Sequence, residues 1–596
     1  MKVIVLLSTI GILSALHCDK DYNFDKRGYY ITCQYLSKDH LDILRNITIN
    51  NEISLKIENS ALYNVTSEIF QNVKEIRFLT IKNSIFTFSP TERIFKTLSK
   101  LEQLTIQNTT FHMNEYTFSG INHLKELVLS NNSLIKVEKS TLKHLDVLEH
   151  FQLTENMLED TANIVICDLK NLKSLNLSNN LIESVDYFFT LCESAINSMD
   201  FSVNSHSYAL NVPKDDYTIY EFASDLVELD LSHNRLRTLG DLFNNIKYIK
   251  EVKLQENMLT LLKNSDFKLL EDLKNLFLQN NNITMIEDRV FHGKHNLELL
   301  DLSHNGLTYF NITDSPMLRY LNLGSNKLKF DSISIINSTQ SLQKFFLYDN
   351  NISEVKPYMF ERFNELELLD LNDNRIKVNN NSFCGLFELK TLFLAGNQIN
   401  ILPESVFRDL KKMKTIDISR NKFKTLYPAT FNELNNLNFL NISHNRLESL
   451  DYILLNPLKN LYILDISDNN LKYIQYDLII SNLPSLSVLN IQQNHLSCEL
   501  LVEIVRFFKQ KSINYTLEEK KDTFHENVAG IFCANEQNSE RLNTNAIASN
   551  INPLFNTVMT LISIFLVLII SIVGFKIYRH LKRRKYRAEE FELIME

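Results

Sequence analysis

An eleven-residue phrase recurs along most of this 596-residue chain, and it constrains the fold more than any other feature. Its clearest copy is LNFLNISHNRL at 437–447. The stretch from Leu440 to Ile442 predicts a short strand with alternate side chains buried. Asn445 is the inward polar residue, and a buried Asn can bond the backbone of its own turn and of the next turn. Stacked copies therefore predict a polar ladder inside an apolar column.

The asparagine is the landmark of each copy, and the landmarks are mostly 23 to 25 residues apart. This period is typical of a solenoid, in which each repeat packs only on its neighbours. Nineteen copies are predicted, marked by Ser60, Ser84, Thr109, Asn132, Asn156, Asn180, Asn204, Asn234, Asn257, Asn281, Asn305, Asn326, Asn350, Asn374, Asn397, Asn421, Asn445, Asn469 and Asn494. Many also carry a phenylalanine that predicts a second buried stack: Phe267, Phe291, Phe360, Phe383, Phe407 and Phe431.

The phrase L-x-x-L-x-L-x-x-N-x-L resembles the leucine-rich repeat, over about residues 18–575. The resemblance implies an α/β repeat solenoid, a leucine-rich repeat horseshoe with a concave parallel β-sheet, disulfide caps and one transmembrane helix. The layout is also similar to Toll-like receptors, to leucine-rich repeat adhesion proteins and to insect-type leucine-rich immune proteins. A Toll/interleukin-receptor domain does not fit into the short segment after the apolar span.

The chain divides into seven predicted segments. Residues 1–17 resemble a signal peptide, with a signal anchor as the alternative. An N-terminal cap (18–44), the repeats (45–497), a C-terminal cap (498–533) and a polar stalk (534–553) follow. Residues 554–577 are long and apolar enough to span a bilayer, and the basic residues after them place the tail (578–596) in the cytoplasm. A removed lipid-anchor signal is the competing interpretation of this span.

Four of the seven cysteines flank the two ends of the repeat array. Terminal repeats expose an apolar flank, so disulfide-closed caps are expected there. We pair Cys18 with Cys33 and Cys498 with Cys533. Between the second pair, apolar residues at helical spacing predict a short amphipathic helix: Leu501, Ile504, Val505 and Phe508.

The other three cysteines lie within the array. Cys167 and Cys192 follow successive landmarks at nearly equal offsets, so adjacent coils would bring them within disulfide distance. Two free buried thiols are the alternative. Cys384 is expected to be a buried small apolar residue, with an intermolecular disulfide as the alternative.

Catalytic motifs are missing from the sequence, so we expect neither an enzyme nor a cofactor. His233, His304 and His444 share the position before the landmark, but they are several coils apart and cannot hold one metal ion. They are predicted to be surface turn residues. The net charge of −9, without a long basic stretch in the repeats, argues against nucleic acid as a partner.

The strand residues that point away from the core form the concave face, and large apolar groups concentrate there between Phe277 and Phe439. Such a surface favours a protein contact, although aromatic residues also simply prefer strands. Asp301 and Asp370 lie among these groups. The predicted ligand-binding patch is Phe277, Leu299, Tyr320, Phe346, Tyr348, Leu368, Phe393 and Phe439.

Twelve N-x-S/T sequons predict glycosylation. Asn176 and Asn441 occupy the central concave position of their strands, so their glycans would leave a free window from about the Asn204 repeat to the Asn421 repeat. The sequons are at Asn46, Asn64, Asn108, Asn131, Asn176, Asn282, Asn311, Asn337, Asn351, Asn380, Asn441 and Asn514.

These features predict a cell-surface recognition receptor or co-receptor at the plasma membrane, with its N-terminus outside. It would bind an extracellular protein or another membrane receptor, with innate immunity as one setting. The alternative is a homophilic or heterophilic adhesion molecule, and a homodimer is left open. In the tail, Glu589, Leu593 and Ile594 resemble an acidic dileucine sorting signal, with an inert tail as the alternative.

Overall fold

The computed structural model describes residues 17–23, 28–37, 52–160, 169–185, 226–240, 242–243, 246–336, 340–515 and 527–533. Its main element is a sheet of twenty strands. The sheet begins with β1 (His17–Asn23) and β2 (Gly28–Gln34), which pair antiparallel. β2 then runs parallel to the first repeat strand. The predicted solenoid with a parallel sheet is confirmed.

The strands that follow are short, and those of the main sheet shorten from five to seven residues in the first repeats to three in the later ones, where each repeat supplies only its Leu-x-Leu core. In chain order they are β3 (Glu52–Glu58), β4 (Ala61–Val65), β5 (Phe78–Lys82), β6 (Ile85–Phe88), β7 (Gln103–Gln107), β8 (Glu126–Ser130), β9 (His150–Gln152), β10 (Ser174–Asn176), β11 (Glu228–Asp230), β12 (Glu251–Lys253), β13 (Leu261–Leu262), β14 (Asn275–Phe277), β15 (Met285–Ile286), β16 (Leu299–Asp301), β17 (Phe310–Thr313), β18 (Tyr320–Asn322), β19 (Ile333–Ile336), β20 (Lys344–Phe346), β21 (Leu368–Asp370), β22 (Thr391–Phe393), β23 (Thr415–Asp417), β24 (Phe439–Asn441), β25 (Ile463–Asp465), β26 (Val488–Asn490), β27 (Asn527–Val528) and β28 (Ile531–Phe532). Four pairs form small separate sheets: β4 with β6, β13 with β15, β17 with β19, and β27 with β28.

Helical elements are few among the described residues. The α-helices are α1 (Tyr476–Asn482) and α2 (Cys498–Lys511), and 3-10 helices cover Ser67–Val73, Lys139–Thr141, Phe330–Ser332 and Tyr452–Leu455. Neither α-helix, nor any other helix in this part of the chain, is long and apolar enough to cross a membrane. The predicted signal peptide, stalk, membrane span and tail lie outside the described residues.

The asparagine ladder holds successive coils together, as predicted. Asn374 donates from Nδ2 to Leu371 O (3.3 Å) and Asn372 O (3.0 Å) in its own turn, and to Leu347 O (2.9 Å) in the preceding coil. Its Oδ1 accepts from Ile352 N at 3.1 Å. Each landmark amide therefore satisfies backbone groups that the short strands leave unpaired inside the core.

A left-handed residue precedes the landmark in each described repeat. His233, His304 and His444 have φ of 54°, 53° and 52°, and Gly396 has φ of 70° at the same place. Asn, Asp, His and Gly tolerate this conformation best. The prediction that the three histidines are turn residues is confirmed.

Phenylalanines pack behind the sheet, as predicted. Phe383, Phe407 and Phe431 stack with centroid distances of 6.2 and 6.3 Å. Near the N-terminus a second run joins Phe95 to Phe118 at 6.4 Å. These rings are fully buried and fill the space that the leucines alone leave open.

The predicted repeat at Asn204 is wrong. Strand β10 pairs directly with β11. Asn234 Nδ2 donates to Leu177 O at 3.0 Å, and Ile182 N donates to Asn234 Oδ1 at 3.1 Å. The Asn180 and Asn234 coils are therefore neighbours, and eighteen repeat strands follow the two cap strands. Residues 186–225, which contain Asn204, lie outside the described residues.

Disulfides close both caps as predicted, Cys18 with Cys33 and Cys498 with Cys533. The predicted cap helix is α2, which begins after Ser497, whose hydroxyl accepts from Leu500 N at 3.3 Å. Its inner face is buried against the last repeat through Leu501, Ile504, Val505 and Phe508. This helix covers the apolar flank that the last repeat would otherwise expose.

Cys384 differs from the prediction. It is half-exposed with a free thiol, because Phe383 takes the core position beside it. Burial and the contact with Asp409 raise the pKa of this thiol. The predicted partners Cys167 and Cys192 both lie outside the described residues, so their bridge stays a prediction.

Candidate functional site

The concave face carries the predicted patch, of which all members but Phe439 lie on consecutive strands of the main sheet. Alternation along each strand buries the leucines and turns their neighbours outward, and each of the eight patch residues is half-buried on this side. Register brings Leu299 opposite Tyr320, whereas Lys344, which is not a patch residue, lies between Tyr320 and Leu368. The residues between the two buried positions of each strand form what we call the central row. In this row Phe346 is followed by Asp370 and then by Phe393.

Aromatic contacts organise the middle of the patch. The rings of Tyr320 and Phe346 have centroids 5.2 Å apart. Tyr348 packs over Gly324, where an added Cβ would lie 2.3 Å from ring atoms. The Tyr348 hydroxyl then reaches His304 Nε2 at 3.4 Å. Glycine at this position therefore lets the tyrosine lie across the preceding coil, which the sequence prediction missed.

The pKa of Tyr320 in the patch is raised by its surroundings. Burial, followed by the nearby carboxylate of Asp301, raises the pKa of Tyr320 to about 12. Its hydroxyl thus stays protonated at neutral pH and can donate a hydrogen bond to a bound molecule.

Phe439 is separate from the other patch residues. Thr415 and Asp417 occupy the intervening strand, so Phe439 lies beside Ile463 rather than beside Phe393. Ile463 is followed by Val488 in the same row. These two half-buried residues extend Phe439 into a second apolar row that the sequence prediction did not include.

Most carboxylates in the central row accept hydrogen bonds from their own strand and from the next strand. The Asp301 Oδ1 atom accepts from Ser303 N (3.0 Å) and Oγ (2.7 Å), while Oδ2 accepts from Asn322 Nδ2 at 3.0 Å. The same arrangement recurs in two other pairs, where Asn441 donates to Asp417 Oδ2 and Asn490 to Asp465 Oδ2, both at 3.0 Å. Each of these aspartates is therefore satisfied by an asparagine on the next strand.

Asp370 lacks that asparagine. Its Oδ1 accepts from Asn372 N at 3.0 Å, but its neighbours across the strands are Phe346 and Phe393. Burial, with added repulsion from Asp373 and Asp417, raises the pKa of Asp370 to about 6. The middle of the patch therefore holds a carboxylate between two aromatic side chains.

The sequons divide by exposure. Asn176 and Asn441 end strands β10 and β24 on the concave face, as predicted, and are half-buried, like Asn311 and Asn351. The exposed ones are Asn64, Asn108, Asn131, Asn282, Asn380 and Asn514. Asn46, Asn337 and the tail residues Glu589, Leu593 and Ile594 lie outside the described residues. Glycan occupancy stays a prediction.

Comparison with known proteins identifies the repeats. The leucine rich repeat family matches residues 122–182, 271–328, 340–399 and 387–447. No curated protein matches the sequence. The predicted leucine-rich repeat solenoid is thus confirmed over these coils.

Two solved structures are similar to this solenoid. A leucine-rich repeat protein of Leptospira interrogans is 25% identical with a TM-score of 0.57, over 71% of this chain and 98% of that chain. A chain of the Drosophila Toll–Spatzle complex is 16% identical with a TM-score of 0.62, over 78% of this chain and 61% of that one. This chain thus spans less than two thirds of the Drosophila chain. That likeness concerns the fold.

The arrangement as a whole is a sheet surface that presents aromatic side chains and one carboxylate, Asp370, that no described residue of a neighbouring strand bonds. Rigid strands hold such groups in fixed positions at little cost in conformational entropy. Large aromatic groups in a partly buried patch are typical anchors of a protein interface.

Proposed function

We propose that this chain is a cell-surface recognition receptor or co-receptor that binds an extracellular protein through its concave face. The observation that carries the proposal is the set of aromatic side chains along the concave face. Tyr320 packs against Phe346, Tyr348 contacts His304, and Phe393 lies two strands beyond Phe346. Contiguous exposed apolar surface of this kind marks interaction sites. The Drosophila structure with a similar fold is described as a complex that serves development and innate immunity, and innate immunity is one setting for this protein as well.

A cell-mixing assay tests this proposal. The full chain is expressed in non-adherent cells that lack it, and these cells are mixed with labelled cells that do not express it or incubated with labelled extracellular protein. We expect mixed clusters or capture of one soluble protein. Clustering among expressing cells alone would establish homophilic adhesion and overturn the receptor proposal.

A double substitution then locates the site. Phe346→Asp with Phe393→Asp places two charges in the patch, so partner binding should fall at least about 100-fold, as loss of two interface anchors does. Thr80→Asp with Thr105→Asp is the matched control, because both threonines occupy the same central row near the N-terminus and are also half-buried. Equal surface expression and circular dichroism would show that both variants fold. Undiminished binding by the phenylalanine variant would contradict the proposal.

A further inference from the structure

Asp370 differs from the other aspartates in the central row of the patch. Asp301 and Asp417 each accept a hydrogen bond at Oδ2 from an asparagine on the next strand. Within the described part of the chain, Asp370 accepts only from its own strand, at Oδ1. Its second oxygen therefore keeps its capacity to accept hydrogen bonds from a bound molecule.

The flanking side chains make this carboxylate the floor of a slot. Phe346 and Phe393 lie on the strands to either side of Asp370, on the same face of the sheet. Two strand spacings separate them, roughly 10 Å between backbones. That gap admits one side chain between the two aromatic groups.

The charge around the slot is uncompensated. Asp373 and Asp417 both add negative potential at Asp370. Lys344, the nearest cation by register, lies opposite Leu368, and none of the ion pairs among the described residues includes Asp370. Arg420 is already paired with Asp373 at 3.1 Å. An apolar or acidic group placed in the slot would leave the carboxylate desolvated and unpaired, which is costly. A cation gives a stronger hydrogen bond to a carboxylate than a neutral donor does.

We propose that Asp370, Phe346 and Phe393 form a cradle for one basic side chain, arginine or lysine, of the bound protein. The cation would pair with the free carboxylate oxygen and face the aromatic rings, whose negative faces attract it. This inference rests on the proposed function, because it names the chemical group that the concave face selects.

Selection of peptides on the full-length protein tests the cradle. The probe is a phage library of disulfide-constrained random peptides, selected on the wild type in detergent micelles. We expect the enriched peptides to share one arginine or lysine beside apolar residues. For such a peptide, Asp370→Asn should weaken binding at least 20-fold. Replacing the basic residue of the peptide by alanine should cost much less on this variant than on the wild type, because only the contact with the aromatic rings is left to lose.

Matched variants distinguish a failure of the cradle from a failure of the proposed function. Asp370→Ala should weaken binding strongly, whereas Asp417→Ala removes an equal charge whose oxygen is already satisfied and should change affinity less than 3-fold. Peptides without a shared basic residue, or equal effects of the two alanine variants, would overturn the cradle while the proposed function stands. Enriched peptides that bind the Phe346→Asp, Phe393→Asp variant as well as the wild type, or no enrichment at all, would overturn both.

Discussion

The concave face has two parts, which differ in how their charged side chains are paired. Around β12, charged side chains satisfy one another: Lys253 pairs with Glu228 (2.7 Å) and Glu251 (2.8 Å), and Asn275 on β14 donates to Glu251 at 2.8 Å. From Phe277 onward, aromatic groups cover the sheet and one carboxylate, Asp370, has no partner across the strands. A surface whose polar groups are already paired gains little from a partner. The aromatic part gains both buried apolar area and one ion pair.

The two parts of the solenoid also differ inside the core. The first three landmarks are hydroxyl residues, and Ser84 donates only to Lys82 O (2.7 Å) while it accepts from Ser60 N (3.0 Å). Landmark amides such as Asn374 donate to three carbonyls. Strands next to the hydroxyl landmarks are longer, with five residues in β5 against three in β21, so the backbone ladder replaces side-chain bonds.

The largest expected loss of stability follows from the difference between asparagine and hydroxyl landmarks in the core. Asn374→Ala should cost about 3–4 kcal/mol of local stability, because several buried backbone groups lose their partner, and Ser84→Ala about 1 kcal/mol. Long repeat arrays do not unfold in one step. Hydrogen exchange of the segments around Ile352 and Ser60 is therefore the measurement. Equal loss of protection at the two sites would contradict the comparison.

An intermediate loss of stability is expected when the ion pairs of Lys253 with Glu228 and Glu251 are broken. Burial alone would lower the pKa of Lys253, but bonds to Glu228 and Glu251 outweigh it and raise the pKa. The ion pairs thus stabilise the fold below the unfolded-state pKa and are lost as the pH rises through the folded-state value. Lys253→Met should destabilise the β11–β14 region by about 2 kcal/mol at pH 7, since it leaves two partly buried carboxylates without their cation. Urea-dependent hydrogen exchange of this region would measure the loss, and Lys136→Met, which breaks an exposed pair with Glu138, is the control.

The smallest expected change is a gain of stability, on replacement of Asp370. The folded-state pKa of Asp370 is raised from 3.8 to about 6, so the stability linked to this group is fully present below about pH 4 and is lost as the pH rises through 6. Asp370→Asn should therefore stabilise the β20–β22 region by about 1 kcal/mol at pH 7.5. Exchange protection at pH 7.5 and at pH 4 tests this. A gain of equal size at both values, or a loss at pH 7.5, would refute the account of Asp370.

The sequence predicted the repeat, its strands and its ladder because each coil must bury the same residues in the same order. The Asn204 error has a visible cause. Two residues after the landmark the other copies are apolar, as at Leu236, Phe86 and Leu447, but this copy has His206, whose polar ring does not suit the core. The position two residues after the landmark was therefore the signal that marks residues 186–225 as an insertion.

The site was only partly predictable. Patch residues follow from alternation along each strand, and the order Phe346, Asp370, Phe393 follows from stacking equivalent positions. The missing hydrogen bond at Asp370 and the contact of Tyr348 with Gly324 depend on three-dimensional packing between coils. Periodicity does not contain that information.

Two aspartates allow the most direct test of the difference between the two parts of the concave face. Asp230-Leu-Ser232 and Asp301-Leu-Ser303 have the same local geometry, with Ser N and Oγ bonded to Asp Oδ1 at 2.9 and 2.7 Å in the first and at 3.0 and 2.7 Å in the second. Asp→Asn at either site creates a sequon, and the added glycan would project from the concave face. A mobility shift confirms occupancy, and enzymatic removal of the glycan is the control.

The measurement is binding of the partner found by cell mixing to each glycan variant. We predict that the glycan at position 301, inside the aromatic patch, abolishes binding, and that the glycan at position 230 leaves it within about 3-fold of wild type, a difference of less than 1 kcal/mol. Full binding with an occupied glycan at 301, or loss of binding only with the glycan at 230, would contradict the assignment of the partner site to the aromatic part of the concave face.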